Sequence, residues 1–192
     1  MARLVRLVRG CRAAAGLITV AMMLSGCGGH PPQPAARTTS AASYRVLVDA
    51  GLHLYRTHDL NAAEQLLIQA IRRDRRLPLA YYDLGVVYES EGLIQAALAE
   101  FMHATSVAPA YLPALYDQAV VEGVLHHTRY AIALYRQVIA TRPDSPTAYL
   151  NLGLLEFASR DTAQAVHDLR HAVHLDPALA SRVPTPLRAR VR

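Results

Sequence analysis

The sequence predicts an all-α protein, a row of four helix-turn-helix repeats behind a short leader. Three observations predict it. One internal period of 34 residues runs from residue 44 to residue 179. Within each period apolar residues recur at three- and four-residue spacing, the mark of amphipathic helices. Pro109, Pro143 and Pro177 close three of the periods, where a helix must stop. A unit of two helices cannot bury its own apolar face, so stacked neighbours bury it jointly.

Composition narrows the classes. Two Cys in 192 residues exclude a disulfide-built scaffold and a zinc finger. No apolar run after residue 26 is long enough to span a bilayer, and the rest reads as a globular helical domain. The formal net charge of +5 misleads until it is divided along the chain. All 20 basic residues are Arg, and residues 44–179 hold 11 of them against all 15 acids. The excess basic charge sits at the ends, in Arg3, Arg6, Arg9 and Arg12 and in Arg182, Arg188, Arg190 and Arg192. A body without a basic face argues against nucleic-acid binding.

The first element is the leader. Residues 1–12, MARLVRLVRGCR, are basic; residues 13–24, AAAGLITVAMML, are apolar, too short to span a membrane but suited to the core of a signal peptide. Leu24-Ser25-Gly26-Cys27 follows. This resembles the bacterial lipobox, in which small residues precede a Cys that is acylated and becomes the first mature residue. The resemblance implies a lipoprotein signal peptide over 1–26 and lipidation at Cys27, so that the membrane is engaged through a lipid anchor. An ordinary signal peptide, or a signal anchor that contains Cys27, is the alternative. No Arg-Arg pair marks a twin-arginine route. Cys11 leaves with the leader, so no disulfide is expected in the mature chain. Gly28 rather than Asp follows Cys27, which by resemblance to Gram-negative sorting implies the outer membrane, facing the periplasm. Residues 27–43 then form the lipidated Cys and a Gly-, Pro-, Ser- and Ala-rich flexible tether, in which His30 reads as a linker residue rather than a ligand.

The four units are 44–77, 78–111, 112–145 and 146–179, without insertion. Large residues open them at Leu47, Tyr81, Leu115 and Tyr149. Small residues recur at Gly51, Gly85, Ala119 and Gly153, and again at Ala63, Ala97, Ala131 and Ala165. A large residue follows the second small column, at Leu67, Phe101, Tyr135 and Leu169, and a third column is Ala70, Ala104, Val138 and Ala172. Arg75 stands in the first unit where the others carry Pro. The small columns let two helices approach closely.

These registers resemble the tetratricopeptide repeat (TPR) family. Leu79-Ala80-Tyr81-Tyr82-Asp83-Leu84-Gly85-Val86-Val87-Tyr88, with Ala97, Phe101, Ala104 and Pro109, is a near-complete match to its pattern. The resemblance covers 44–179 and implies a right-handed superhelix whose concave side is lined by the first helix of each unit. On that side three columns are expected: Val48, Tyr82, Tyr116 and Leu150; Leu52, Val86, Val120 and Leu154; and Tyr55, Glu89, Gly123 and Phe157. The first two lack Lys, Arg and Asn, so they supply no basic clamp for a terminal carboxylate. They offer an apolar trough with tyrosine hydroxyls, which suits an apolar or amphipathic segment of another protein, as a helix or an extended peptide. The alternative is that part of the stripe packs between helices.

Three residues depart from the repeat. Gln118 stands where the counterparts are Ala50, Leu84 and Leu152; Glu122 and Glu156 stand where Leu54 and Tyr88 do. The acids are expected to turn to solvent or to an Arg such as Arg129 or Arg160. The basic tail, 180–192, contains Pro184 and Pro186 and is expected to form little helix, leaving the apolar side of the last unit near Leu169 and Val173 partly uncovered. Such a face needs a second copy, giving a homodimer, or a bound segment. His167, His171 and His174 share one helix face and raise metal binding as an option, but no second ligand-bearing element accompanies them. His126-His127 reads as a polar turn. The run Arg72-Arg73-Asp74-Arg75-Arg76 complements a helix C-terminus, the alternative being a surface for anionic lipid or an acidic partner. No phosphate loop, nucleophile elbow or His-Glu-X-X-His motif is present.

The sequence thus predicts a non-enzymatic adaptor in the bacterial cell envelope with no cofactor and no resident metal. Its architecture is similar to that of the TPR lipoproteins of Tad/Flp and type IV pilus assembly. A scaffold for cell-wall hydrolases or proteases, a His-rich metal-binding protein, and a cytoplasmic TPR protein with a misplaced start are the alternatives.

Overall fold

The computed structural model describes residues 36–191, with side chains from residue 44 onward. The signal-peptide reading, Cys27, Gly28 and His30 lie outside the described residues. Eight helices follow one another: α1 (Ala36–Arg56), α2 (Leu60–Arg73), α3 (Pro78–Ser90), α4 (Ile94–Val107), α5 (Leu112–Val124), α6 (Thr128–Thr141), α7 (Pro146–Ala158) and α8 (Thr162–Leu175). Two 3-10 turns, Pro177–Arg182 and Thr185–Leu187, and a short α9 (Arg188–Val191) complete the chain. Among the described residues there is no strand, and no helix is long and apolar enough to cross a membrane. The first helix begins at Ala36, inside the stretch expected to be tether.

Each odd-numbered helix packs most heavily on the helix that follows it, and each even-numbered helix next on the start of the following pair. The small columns are the cause. Ala63, Ala97, Ala131 and Ala165 are fully buried, as are Leu67, Phe101 and Leu169, with Tyr135 nearly so. At Gly85 an added Cβ would lie 2.6 Å from the Phe101 ring. That ring occupies the space a side chain would take, so α3 and α4 meet backbone to ring.

The turn inside each pair is one repeated device. His58, Gly92, His126 and Arg160, each 34 residues from the next, have φ of 63°, 75°, 62° and 66°. In each unit the next amide reaches back across the end of the helix: Asp59 to Leu54, Leu93 to Tyr88, His127 to Glu122 and Asp161 to Glu156, at 2.8–2.9 Å. This is the Schellman closure, which satisfies helix carbonyls that have no other partner and requires a left-handed residue. Only the second unit uses glycine there; the other three place a side chain in a conformation that disfavours one. Asp59 and Asp161 then cap the next helix by accepting from Ala62 N (3.2 Å) and Gln164 N (3.3 Å). Pro78 and Pro146 open α3 and α7, and Pro113 sits in the first turn of α5, where a missing N–H costs nothing.

The tail corrects an expectation. It forms little α-helix, yet it covers the last unit: Leu179, Val183, Leu187 and Val191 are all buried, in one cluster with Leu150, Val166 and Leu169, and Val173 packs against it. These four residues recur every fourth position, so 3-10 turns and one short helix suffice to keep them on one side. Arg188 donates to the carbonyls of Val183 (2.9 Å) and Ser181 (3.1 Å), and Arg170 of α8 donates to the Arg190 carbonyl (2.7 Å). The uncovered face that motivated a homodimer is therefore filled by the chain itself.

The acids bear out one part of theirs and correct the rest. Glu122 and Glu156 are 8% and 2% exposed, so neither turns to solvent; Glu156 does turn to an Arg, though not to Arg129 or Arg160, and Glu122 turns to a His. Glu122 Oε2 lies 2.7 Å from His127 Nδ1, and Glu156 Oε1 accepts from the Arg136 guanidinium at 3.1 Å. Both sit on the inward side of their helix, and their partners are those that the stacking brings close. Gln118 accepts from the Thr105 hydroxyl at 3.2 Å, so its polar group serves the contact between the second and third pairs.

Candidate functional site

The first helices of the pairs, α1, α3, α5 and α7, carry the expected groove residues. Their placement divides. Val48 (4% exposed) and Leu150 (fully buried) belong to core clusters and pack between helices rather than line a trough. Leu52, Tyr55, Tyr82, Val86, Tyr116, Val120, Leu154 and Phe157 are partly exposed, and Glu89 is exposed. Tyr82 and Tyr116 share a cavity of about 280 Å³ with Leu112, Asp117 and Arg142. Val120, Gly123 and Leu154 share a second of about 320 Å³ with Tyr135 and Asn151.

The tyrosines are held in place by one another. Tyr82 lies against Phe101 (centroids 5.8 Å apart) and edge-on to Tyr111 (5.7 Å), and Tyr116 is edge-on to Tyr135 (5.6 Å). The Asn151 amide donates to the Tyr116 hydroxyl at 2.8 Å and to the Tyr135 hydroxyl at 3.2 Å. The Ser90 hydroxyl donates to that of Tyr55 at 3.2 Å, and Tyr88 donates to Glu64 at 3.0 Å. Burial, then Glu64, pushes the Tyr88 phenol up to about 12. Burial and the neighbouring Asp117 push the Tyr82 phenol higher still, so it stays a neutral donor throughout.

The carboxylates of this face went unread in the sequence. Asp49, Asp83 and Asp117 recur at the 34-residue period, with Asn151 in the fourth place, beside the column of Val48, Tyr82, Tyr116 and Leu150. The same self-alignment that shows the small columns shows this one. Burial raises the Asp117 carboxyl, offset in part by the Tyr82 hydroxyl. Burial, then Asp117, raises the Glu89 carboxyl.

The histidines do not assemble a metal centre. His167, His171 and His174 surround a cavity of about 230 Å³, but Arg170 stands among them. The His171 ring lies edge-on to Tyr149 with centroids 4.3 Å apart, and His167 Nδ1 is 2.8 Å from Asp168 Oδ1. Among the described residues no group of three His, Cys, Asp or Glu side chains is placed to hold a metal ion.

Four stacked helix pairs with an inner face of anchored tyrosines, apolar side chains and carboxylates define a helical-repeat scaffold for protein–protein interaction. The chain belongs to the tetratricopeptide repeat family, whose model matches residues 48–105 and 116–180. No curated protein matches it. Among solved structures it is similar to MamA from Desulfovibrio magneticus RS-1 (22% identity, TM-score 0.66, covering 74% of this chain and 78% of that one). It is also similar to pilF of Pseudomonas aeruginosa (18%, TM-score 0.65, 74% and 65%). A third is the first TPR of Spaghetti (RPAP3) bound to an HSP90 peptide (16%, TM-score 0.59, 61% and 93%). At these identities the likeness is one of fold.

Proposed function

We propose that this chain is a lipid-anchored envelope adaptor whose inner face holds a segment of another envelope protein during assembly of a pilus or secretion machine. The observation that carries the binding half is the pair of cavities along α3, α5 and α7, walled by tyrosines whose rings are fixed by edge-on neighbours. Rigid, amphipathic aromatic anchors are the side chains that dominate peptide and protein binding. The anchor half rests on Leu24-Ser25-Gly26-Cys27 behind a basic and then apolar start. The pilF likeness is in keeping with a pilus machine, and the peptide bound by the Spaghetti repeat is in keeping with a segment in the groove. No step of this role calls for catalysis, since adaptors of this family work by holding their partners.

Two experiments test it. Cys27→Ala abolishes fatty-acid labelling of the chain and releases it from membranes or blocks its processing; labelling that persists in the variant removes the anchor. Tyr82→Ala with Tyr116→Ala weakens capture of the partner segment by about 1–3 kcal/mol per ring while the helical circular dichroism stays near that of the parent. Equal binding by the double variant, with its helix content intact, moves the site elsewhere.

A further inference from the structure

We infer that the inner face holds a subsite for a cationic side chain, Arg or Lys, of the bound segment, centred on Asp83 and flanked by Asp49 and Tyr111. It rests on the groove reading above and names the chemistry of the partner.

The repeat itself isolates Asp83. At the fourth place of its column, Asn151 has two tyrosine hydroxyls, Tyr116 from the preceding first helix and Tyr135 from the preceding second helix. One repeat earlier, Asp117 has the Tyr82 hydroxyl, and Phe101 stands where Tyr135 does. One repeat earlier again, the corresponding positions for Asp83 are Val48 and Leu67, and neither carries a polar group. The hydroxyl partners fall from two to one to none, and Asp83 is left with the Arg56 charge on α1. Asp83 is only 8% exposed, and its Oδ2 has no hydrogen-bond partner. An orphaned buried carboxylate is expensive and requires an account.

The surroundings select a cation to complete it. Burial raises the Asp83 carboxyl to about 6; Arg56 on α1 draws it down by less, and Asp49, also on α1, adds to the rise. Tyr111, between α4 and α5, feels the Asp83 charge, and so does Tyr82 on α3 itself. Glu89 and Asp117 add two more carboxyls to the same face. A guanidinium or ammonium entering here relieves the repulsion between Asp83 and Asp49 and donates to the Asp83 carboxylate. A neutral donor does only the second of these, and an anion is repelled.

The full chain in detergent is used to select binders from a random dodecapeptide display library, and the binders are resynthesised. Recovered peptides that need Tyr82 and Tyr116 are expected to carry Arg or Lys among apolar residues. Replacing that Arg by citrulline, or that Lys by norleucine, weakens binding tenfold or more, roughly the lower end for one partner of a buried charge pair. Asp83→Asn does the same yet melts no lower than the parent at pH 7, because a buried acid with a raised pKa has been removed. Asp49→Asn, at an exposed position, weakens binding by a few-fold and guards against any folding defect at Asp83. Peptides that need the tyrosines but carry no cation, or bind Asp83→Asn as tightly as the parent, overturn the subsite and leave the groove. Failure to recover any tyrosine-dependent peptide overturns both.

Discussion

Leu187→Asp lowers the unfolding free energy of the chain by about 3–5 kcal/mol and converts it into a self-associating protein. Leu187 is 2% exposed and packs in one cluster with Leu169, Val183 and Val191, the seam that joins the tail to α8. A carboxylate there is a buried charge without a partner, and its escape lifts the tail. The newly bared side of α8 then holds Val166 and Val173, an apolar face that another molecule covers. Urea unfolding followed by circular dichroism measures the first effect, and light scattering across a concentration series the second. A variant as stable as the parent shows that the tail is dispensable for closing the last unit. A destabilised variant that stays monomeric shows that the bared face is not adhesive.

Glu156→Gln makes the chain more stable at pH 8 by on the order of 2 kcal/mol and removes most of its loss of stability between pH 5 and 7. The Glu156 carboxyl is 2% exposed, with Oε1 on Arg136 and Oε2 without a donor. Burial first, and the Asp168 carboxyl second, raise it to about 7, against the opposing pull of Arg136. Two acceptors facing each other need a proton between them, and a Glu156 proton supplies it. The folded chain therefore keeps a proton that the unfolded chain releases at the ordinary Glu value of about 4.3. The resulting stability is full below that value and lost as pH rises through about 7. Glutamine holds the same geometry at every pH: its carbonyl accepts from Arg136 and its amide donates to Asp168. Asp83, raised to about 6, contributes a smaller slope of the same sign. Unfolding free energies at half-unit steps from pH 5 to 8 test this, and a Glu156→Gln chain with the parent's slope rules Glu156 out as its source.

The distribution of these effects shows how far the sequence could be read. The helix pairs were legible because a 34-residue self-alignment and three- and four-residue spacing are both local and repeated. That Tyr82 and Tyr116 share a face was legible for the same reason, since a column is a face once the helix is granted, and the two line one cavity. Val48 and Leu150 look identical to them in sequence, yet both pack into core clusters, where the helix of the next pair or the tail covers them. The acidic column at Asp49, Asp83 and Asp117 stands in the same alignment, but a charged residue beside a packing column has the pattern of a solvated face until the stacking buries it. The four-residue spacing of Leu179, Val183, Leu187 and Val191 was likewise present, hidden by Pro184 and Pro186, which argue against an α-helix but not against a docked run of tight turns.

The sequence by itself determined the family, the order of the helices, the close approach at Gly85 and the turns at each 34th residue, because these follow from spacing along one chain. Only the tertiary structure decided which polar groups are satisfied. Arg136 reaches Glu156 from 20 residues away, Asn151 reaches back 35 residues to Tyr116, and Asp83 finds no donor for Oδ2. The free energy of a carboxyl depends on burial and on donors and charges within a few ångströms. Those distances are set by how one pair stacks on the next, which residue spacing along a single helix does not contain.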